Sequence, residues 1–200
     1  VEQSLVLTFA ELEFLLRVRE PEIATIREDL GLAPADDAVA AAGLASLLAR
    51  GLCEPGDGGV VPVPELRAVV AALATADRVT RVLDLGDGSV ELGAVVTGPN
   101  VHIGLTAVGF GQHVVQPIDV ASGAAEQVRH VLGRALGRES AVLVQSRTAR
   151  GQVSIAIAID GEGAWYLSDS EGDPDRGTPV GEDEAHARVA ELLADPVGVR

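Results

Sequence analysis

Gly43-Leu44-Ala45-Ser46-Leu47-Leu48-Ala49-Arg50-Gly51-Leu52, then Val63-Pro64-Glu65-Leu66, then Arg78-Val79-Thr80-Arg81-Val82-Leu83, mark the point where the chain changes character. Arg50-Gly51-Leu52 reads as a helix end: a basic last turn, Gly at the left-handed position and Leu52 placed to fold back on Leu47. Pro64 suits the first position of a following helix, where its missing N–H is no loss. The segment from Arg78 to Leu85 reads as extended. Gly43 to Leu85 therefore joins a helical N-terminal third to a strand-rich remainder.

Working back from that junction, Ser4 to Leu7 is read as a short edge strand or a lead-in. Thr8-Phe9-Ala10-Glu11 has capping-box spacing, so hydroxyl and carboxylate can each satisfy an orphan N–H. Phe9, Leu12, Leu15 and Leu16 share one helical stripe. Glu20-Pro21 restarts the chain, and Ile23, Ile26 and Leu30 repeat at helical spacing. Asp36 or Asp37 caps a third helix to Arg50, with Val39, Ala42, Leu47 and Leu48 expected inward.

Working forward, Pro55 to Gly59 reads as a turn, with Val60-Val61 free to pair, and Leu66, Val69, Val70 and Leu73 form the stripe of a fourth helix. Strands are expected at Arg78–Leu85, Ser89–Thr97, Val101–Val108 and His113–Ile118, separated by Gly-rich turns. A helix to Leu136, capped by Asp119 or Ser122, comes next. Strands at Ala141–Arg147, Gln152–Ile159 and Ala164–Leu167, a polar acidic loop from Asp169 to Pro179, and a helix from Glu182 to Ala194 complete the chain. Both strand-rich parts run strand, strand, strand, helix, which points to pseudo-two-fold halves with a helix over each. Hairpin-length connections favour antiparallel pairing. The expected fold is α+β, one domain over 1–200: helical over 1–77, a first sheet half with its helix over 78–138, and a second over 139–200.

Composition excludes several function classes. The 200 residues carry a formal net charge of −15, and all 15 basic residues are Arg. Phosphate contacts need clustered Lys or Arg, so nucleic acid is disfavoured as a partner, as are anionic membrane surfaces. Without Lys, P-loop and Schiff-base chemistries are unavailable. Cys53 is the only cysteine, which rules out an internal disulfide and a cysteine-based zinc site. Neither a basic-then-apolar leader nor a long apolar run is present, so a cytoplasmic location is expected.

Candidate chemistry is sparse. His102, His113, His130 and His186 lack metal-site spacing, and each reads as a structural or surface residue. Gly109-Phe110-Gly111 lacks the third Gly of a dinucleotide fingerprint, and a strand follows it where a helix should start. The acids of Asp169 to Asp175 resemble a calcium loop, but Pro174 interrupts it and Val180 stands where the closing Glu belongs. No catalytic residue, cofactor or metal is expected. In a chain with only 2% aromatics, Phe110 in its Gly-flanked turn, Trp165 and Tyr166 are the candidate protein-binding residues, with core packing as the competing reading.

Two families of reading remain for function. Three helices followed by a Gly-rich turn look like a winged helix with Asp57-Gly58-Gly59 at the wing tip. Its third helix is nearly free of basic residues, which leaves a regulator with little or no DNA binding. The whole chain more closely resembles the EspG family of type VII (ESX) secretion-associated chaperones of actinobacteria. The resemblance is carried by Leu5-Val6-Leu7-Thr8-Phe9-Ala10-Glu11-Leu12, Leu47 to Leu52, Pro64-Glu65-Leu66, Arg78-Val79-Thr80-Arg81, the strands Leu92–Thr97 and Val101–Leu105, and Val115-Gln116-Pro117-Ile118-Asp119. It implies a cytosolic binding protein with a central antiparallel sheet, which holds the apolar tip of helical PE–PPE secretion substrates. The chain departs from the family in being shorter, with a compact Gly98-Pro99-Asn100 turn in place of a longer loop used in partner contact. The oligomeric state is open, a homodimer among the options.

Overall fold

A reciprocal cap launches the first helix. In the computed structural model, which describes residues 4–17, 24–57, 59–86, 90–119, 123–137, 139–168 and 177–194, strand β1 (Leu5–Thr8) runs straight into helix α1 (Phe9–Arg17). The Thr8 N–H donates to Glu11 Oε2 at 2.8 Å, and the Glu11 N–H donates to Thr8 Oγ1 at 3.2 Å, as the capping-box spacing requires. Helix α2 (Ala24–Asp29) and helix α3 (Asp37–Ala49) follow. Asp36 caps α3, its Oδ1 accepting from the Val39 N–H at 2.9 Å. Gly51, with φ of 68°, ends it: the Gly51 N–H donates to the Leu48 carbonyl at 3.0 Å and the Leu52 N–H to the Leu47 carbonyl at 2.9 Å. The hairpin β2 (Cys53–Gly56) and β3 (Gly59–Pro62) leads to α4 (Pro64–Ala74), with Pro64 in its first turn.

The remaining elements are β4 (Arg78–Asp84), β5 (Glu91–Thr97), β6 (His102–Gly109), β7 (Gln112–Ile118), α5 (Gly123–Ala135), β8 (Ser140–Thr148), β9 (Gly151–Ile159), β10 (Trp165–Ser168), β11 (Thr178–Val180) and α6 (Glu182–Ala194). Nine strands form one antiparallel sheet in the order β1-β7-β6-β5-β4-β8-β9-β10-β11, and β2–β3 stands apart. The fold is α+β. Along the chain the run of three strands and a helix occurs twice, as β5-β6-β7-α5 and as β8-β9-β10, then β11 and α6. The chain divides into two compact units, Val1–Ala76 with Val96–Asp119, and Asp77–Val95 with Val120–Arg200.

In the first unit α3 packs on α1, and α4 packs on β6 and β7. Leu12, Leu16, Leu47, Leu66, Ile103 and Val115 fill its core. The inward row of α3 differs from the expected one. Ala40, Gly43 and Leu47 are buried, whereas Ala42 and Leu48 are exposed. Gly43 explains the rotation: a Cβ there would overlap the Ala10 carbonyl, so α3 lies backbone against backbone on α1. Two fully buried acids in α1 fasten the helices. Glu11 receives Arg50 Nη1 at 2.7 and 2.8 Å and the Ser46 hydroxyl at 2.7 Å. Glu13 receives Arg17 Nε at 2.8 Å and Arg27 Nη2 at 3.0 Å. Arg17 also donates to the Ala35 carbonyl. Burial works to raise the Glu11 pKa, but the Thr8 N–H, the Ser46 hydroxyl and the Arg50 guanidinium outweigh it and hold the carboxyl below its ordinary value.

In the second unit Val82, Val142, Val144, Ile155 and Ile157 are buried along cross-strand rows of β4, β8 and β9. Helix α6 packs on β8, β9 and β10, and helix α5 packs on β4, β8 and α6. The Val128-Val131-Leu132 row of α5 is buried within the same unit as α6. Thr80 donates to Ser146 Oγ at 3.1 Å inside this core. Strand β11 begins where the sequence predicts loop as far as Pro179, because three residues with a central Pro carry no alternation to detect. The chain restart at Glu20-Pro21, the cap at Ser122 and the acidic loop Asp169 to Asp175 lie outside the described residues. Among the described residues no helix is long and apolar enough to cross a membrane.

Candidate functional site

The strand register of the first unit sorts its side chains onto two faces. Leu7 opposes His113, which opposes Ala107; Leu5 opposes Val115, which opposes Leu105. Leu7, Leu105 and Val115 are buried, so this face meets the helices. Val6, Val114 and Thr106 form the next cross-strand row and point the other way. Val6 is 41% exposed. Beyond Thr106 the pairing of β6 with β7 slips between Ala107 and Gly109, so Val108 is the extra residue of a β-bulge. Val108 is 51% exposed.

Phe110 and Gly111 then close the hairpin between Gly109 and Gln112. Their φ values, 51° and 68°, have the sign pattern of a type I′ turn. The Phe9 N–H donates to the Gly111 carbonyl at 2.6 Å, which ties the turn to the start of α1. Phe110 itself is 105% exposed, as free as in an extended chain. Val108 and Phe110 are thus exposed apolar residues at one hairpin tip, and Val6 is exposed on the neighbouring strand β1.

Trp165 and Tyr166 belong to the other unit and do not share a surface with each other. They are neighbours in β10 and project to opposite faces. Trp165 opposes Ile159 and Val180, and its ring lies 5.7 Å from that of His186 in α6, tilted by 59°. This is a half-buried packing position. Tyr166 opposes Ala158, and its hydroxyl donates to Asp160 Oδ2 at 3.0 Å. Asp160 Oδ1 accepts the Glu162 and Ala164 N–H groups, each at 2.9 Å. The Ala164 N–H leads in holding the Asp160 pKa below the usual carboxylate range, and the hydrogen bond to Asp160 raises that of Tyr166.

A cleft of about 550 Å³ lies beside this turn, lined among others by Leu85, Glu139, Ala141, Asp160 and Tyr166. Asp160 and Tyr166 are engaged by the turn itself, and Glu139 is exposed. The Asp160 staple was not singled out from sequence, although Asp-Gly-Glu-Gly at 160–163 is a turn signal.

His102 and His113 lie in paired strands but on opposite faces. Each has a buried Nδ1 without a hydrogen-bond partner, and burial lowers the His113 pKa. Cys53 is buried, and burial raises its thiol pKa, away from reactive thiolate. Among the described residues no group of three His, Cys, Asp or Glu side chains is arranged to hold a metal ion. Helix α3 has no basic residue before Arg50, and Arg50 is engaged by Glu11 and by the Val6 carbonyl. No protein-family model matches the chain, and no curated protein matches it.

Proposed function

We propose that the chain is a cytoplasmic, non-enzymatic chaperone or adaptor, a short EspG-like member of the type VII secretion apparatus. It shields the apolar tip of a helical PE–PPE-like substrate before export. The supporting observation is the apolar hairpin tip of the first unit, where Phe110 and Val108 stand exposed in a chain of net charge −15. Such a charge keeps a protein soluble and leaves an exposed apolar cluster in need of a reason. A protein-binding surface needs an apolar centre with a polar rim, and no catalytic group or cofactor. Co-expression with a PE–PPE pair, followed by size-exclusion chromatography with light scattering, tests the reading. A stoichiometric complex is expected; separate elution of the two proteins at micromolar concentration defeats it.

A regulator derived from a winged helix is the second reading. The β2–β3 hairpin directly after α3, pairing Cys53 with Pro62 and Gly56 with Gly59, is the observation in its favour. It predicts salt-sensitive retention on duplex DNA, which an α3 with an acid in its first turn and no basic residue argues against.

A further inference from the structure

We propose that the Glu11–Arg50 ion pair closes the outer edge of β1, and that without it this strand pairs antiparallel with the β1 of a second copy of the chain.

Hydrogen bonding fixes which backbone groups of β1 face that edge. Among the described residues β1 is the end strand of the sheet, paired on one side with β7. Residues along an antiparallel pair alternate between those that bond the neighbouring strand and those that point away from it. The Phe9 N–H donates to the Gly111 carbonyl at 2.6 Å, and in the same register Leu7 opposes His113 and Leu5 opposes Val115. Leu5 and Leu7 therefore bond inward, and the backbone groups of Val6 and Thr8 point out of the sheet. Both are met there by side chains. The Thr8 N–H donates to Glu11 Oε2 at 2.8 Å, and the Val6 carbonyl accepts Arg50 Nη2 at 2.8 Å. Arg50 Nη1 holds both oxygens of Glu11. One ion pair thus occupies two positions that an incoming strand would use.

The sequence of β1 shows why such cover is needed. Edge strands recruit strands of other chains unless Pro, charge or brevity blunts them. Strand β11, at the other end of the strand order, has three residues with Pro179 at its centre. Leu5-Val6-Leu7-Thr8 has neither Pro nor charge, and it is made of apolar and β-branched residues that pair readily. Its protection comes instead from α1 and α3, through Glu11 and Arg50. The occupant of an uncovered edge follows from symmetry. Every copy carries the same strand, and a two-fold axis beside Val6 lets its N–H and carbonyl exchange bonds with their own counterparts.

The test is the double variant E11Q/R50M, compared with wild type by sedimentation velocity over a concentration series. Charge and guanidinium are removed together, so no unpaired buried charge remains. Gln can still accept the Thr8 N–H, as capping boxes allow. Urea unfolding checks that the variant is folded. It should gain a dimerisation step that wild type lacks, and the outward Val6 amide should exchange about 3- to 10-fold more slowly in that dimer, the worth of one added hydrogen bond. A folded variant that associates no more than wild type overturns the proposal. So does a dimer in which exchange at Val6 is unchanged. Should the variant unfold, wild type decides: its edge amide at Thr8 is expected to exchange at least about tenfold more slowly than in an unstructured chain. Exchange of that amide at the unstructured rate shows an open edge and overturns the proposal.

Discussion

Arg50 Nη1 lies 2.8 Å from Glu11 Oε1 and 2.7 Å from Oε2, clasping a carboxylate that is fully buried near the start of α1. The same guanidinium donates through Nη2 to the Val6 carbonyl at 2.8 Å. One side chain at the end of α3 thus ties together the edge strand and the first helix of the unit that carries the Phe110 hairpin.

Removing Arg50 should therefore destabilise this unit. R50A leaves Glu11 with only the Thr8 N–H and the Ser46 hydroxyl. A lost partner for a dry buried charge costs about 3–5 kcal/mol. Arg50 is 40% exposed, so water can replace part of the pair and the expected loss is about 2–3 kcal/mol. Urea unfolding at neutral pH measures it; a loss under half a kilocalorie would mean that the clasp does not hold.

Glu11 also predicts an acid limb. Its folded pKa lies below the ordinary glutamate value of about 4.3. Between the two values the unfolded chain binds the proton and the folded one does not, so stability rises with pH. The contribution is fully present above about pH 5 and is lost as pH falls through the folded value. E11Q should flatten this limb of the urea midpoint against pH, and a slope identical to wild type would contradict the assignment.

His113 acts at higher pH. Burial depresses its folded pKa, and protonation would place a charged donor on an Nδ1 that has no acceptor. Strands β1 and β6 carry no titratable side chain except His102, which faces the other way, and Glu65 and Arg67 of α4 are exposed. Below the unfolded value of about 6.5 the unfolded chain takes the proton first, so stability falls as pH drops towards the folded value. H113N should remove this step between pH 7.5 and 5.5, and an unchanged step would assign it elsewhere.

G43A opposes two effects on α3. Ala is the better helix former by about 1 kcal/mol. Overpacking costs about 1–3 kcal/mol, and the obstacle is the Ala10 carbonyl, a backbone group that cannot rotate away. Net destabilisation of about 1–2 kcal/mol is expected by the same unfolding assay. A stabilised variant would show that the helices can separate without loss.

Local chemistry made much of this fold legible in the sequence. The capping box at Thr8 and Glu11, the stop at Gly51, Pro64 and the strand meanders all depend on neighbours within a few residues. What stayed hidden depends on distance. Nothing near Glu11 or Glu13 announces Arg50 or Arg27 as partners, and the inward row of α3 was set by the backbone of α1. The aromatic residues were visible as candidates, but only register separates them. Trp165 packs beside His186, Tyr166 closes a turn, and Phe110 alone stands clear of the surface. The bulge at Val108 has no signature in Thr-Ala-Val-Gly.

Hydrogen exchange of the chain alone and with a bound PE–PPE pair tests the central proposal most directly. The account predicts slowed exchange confined to the first unit, at Val108 to Val114 and along β1, with the amides of β10 and α6 unchanged. Protection centred on Trp165, Tyr166 and α6, or no change at the Phe110 hairpin in a complex that demonstrably forms, would contradict it.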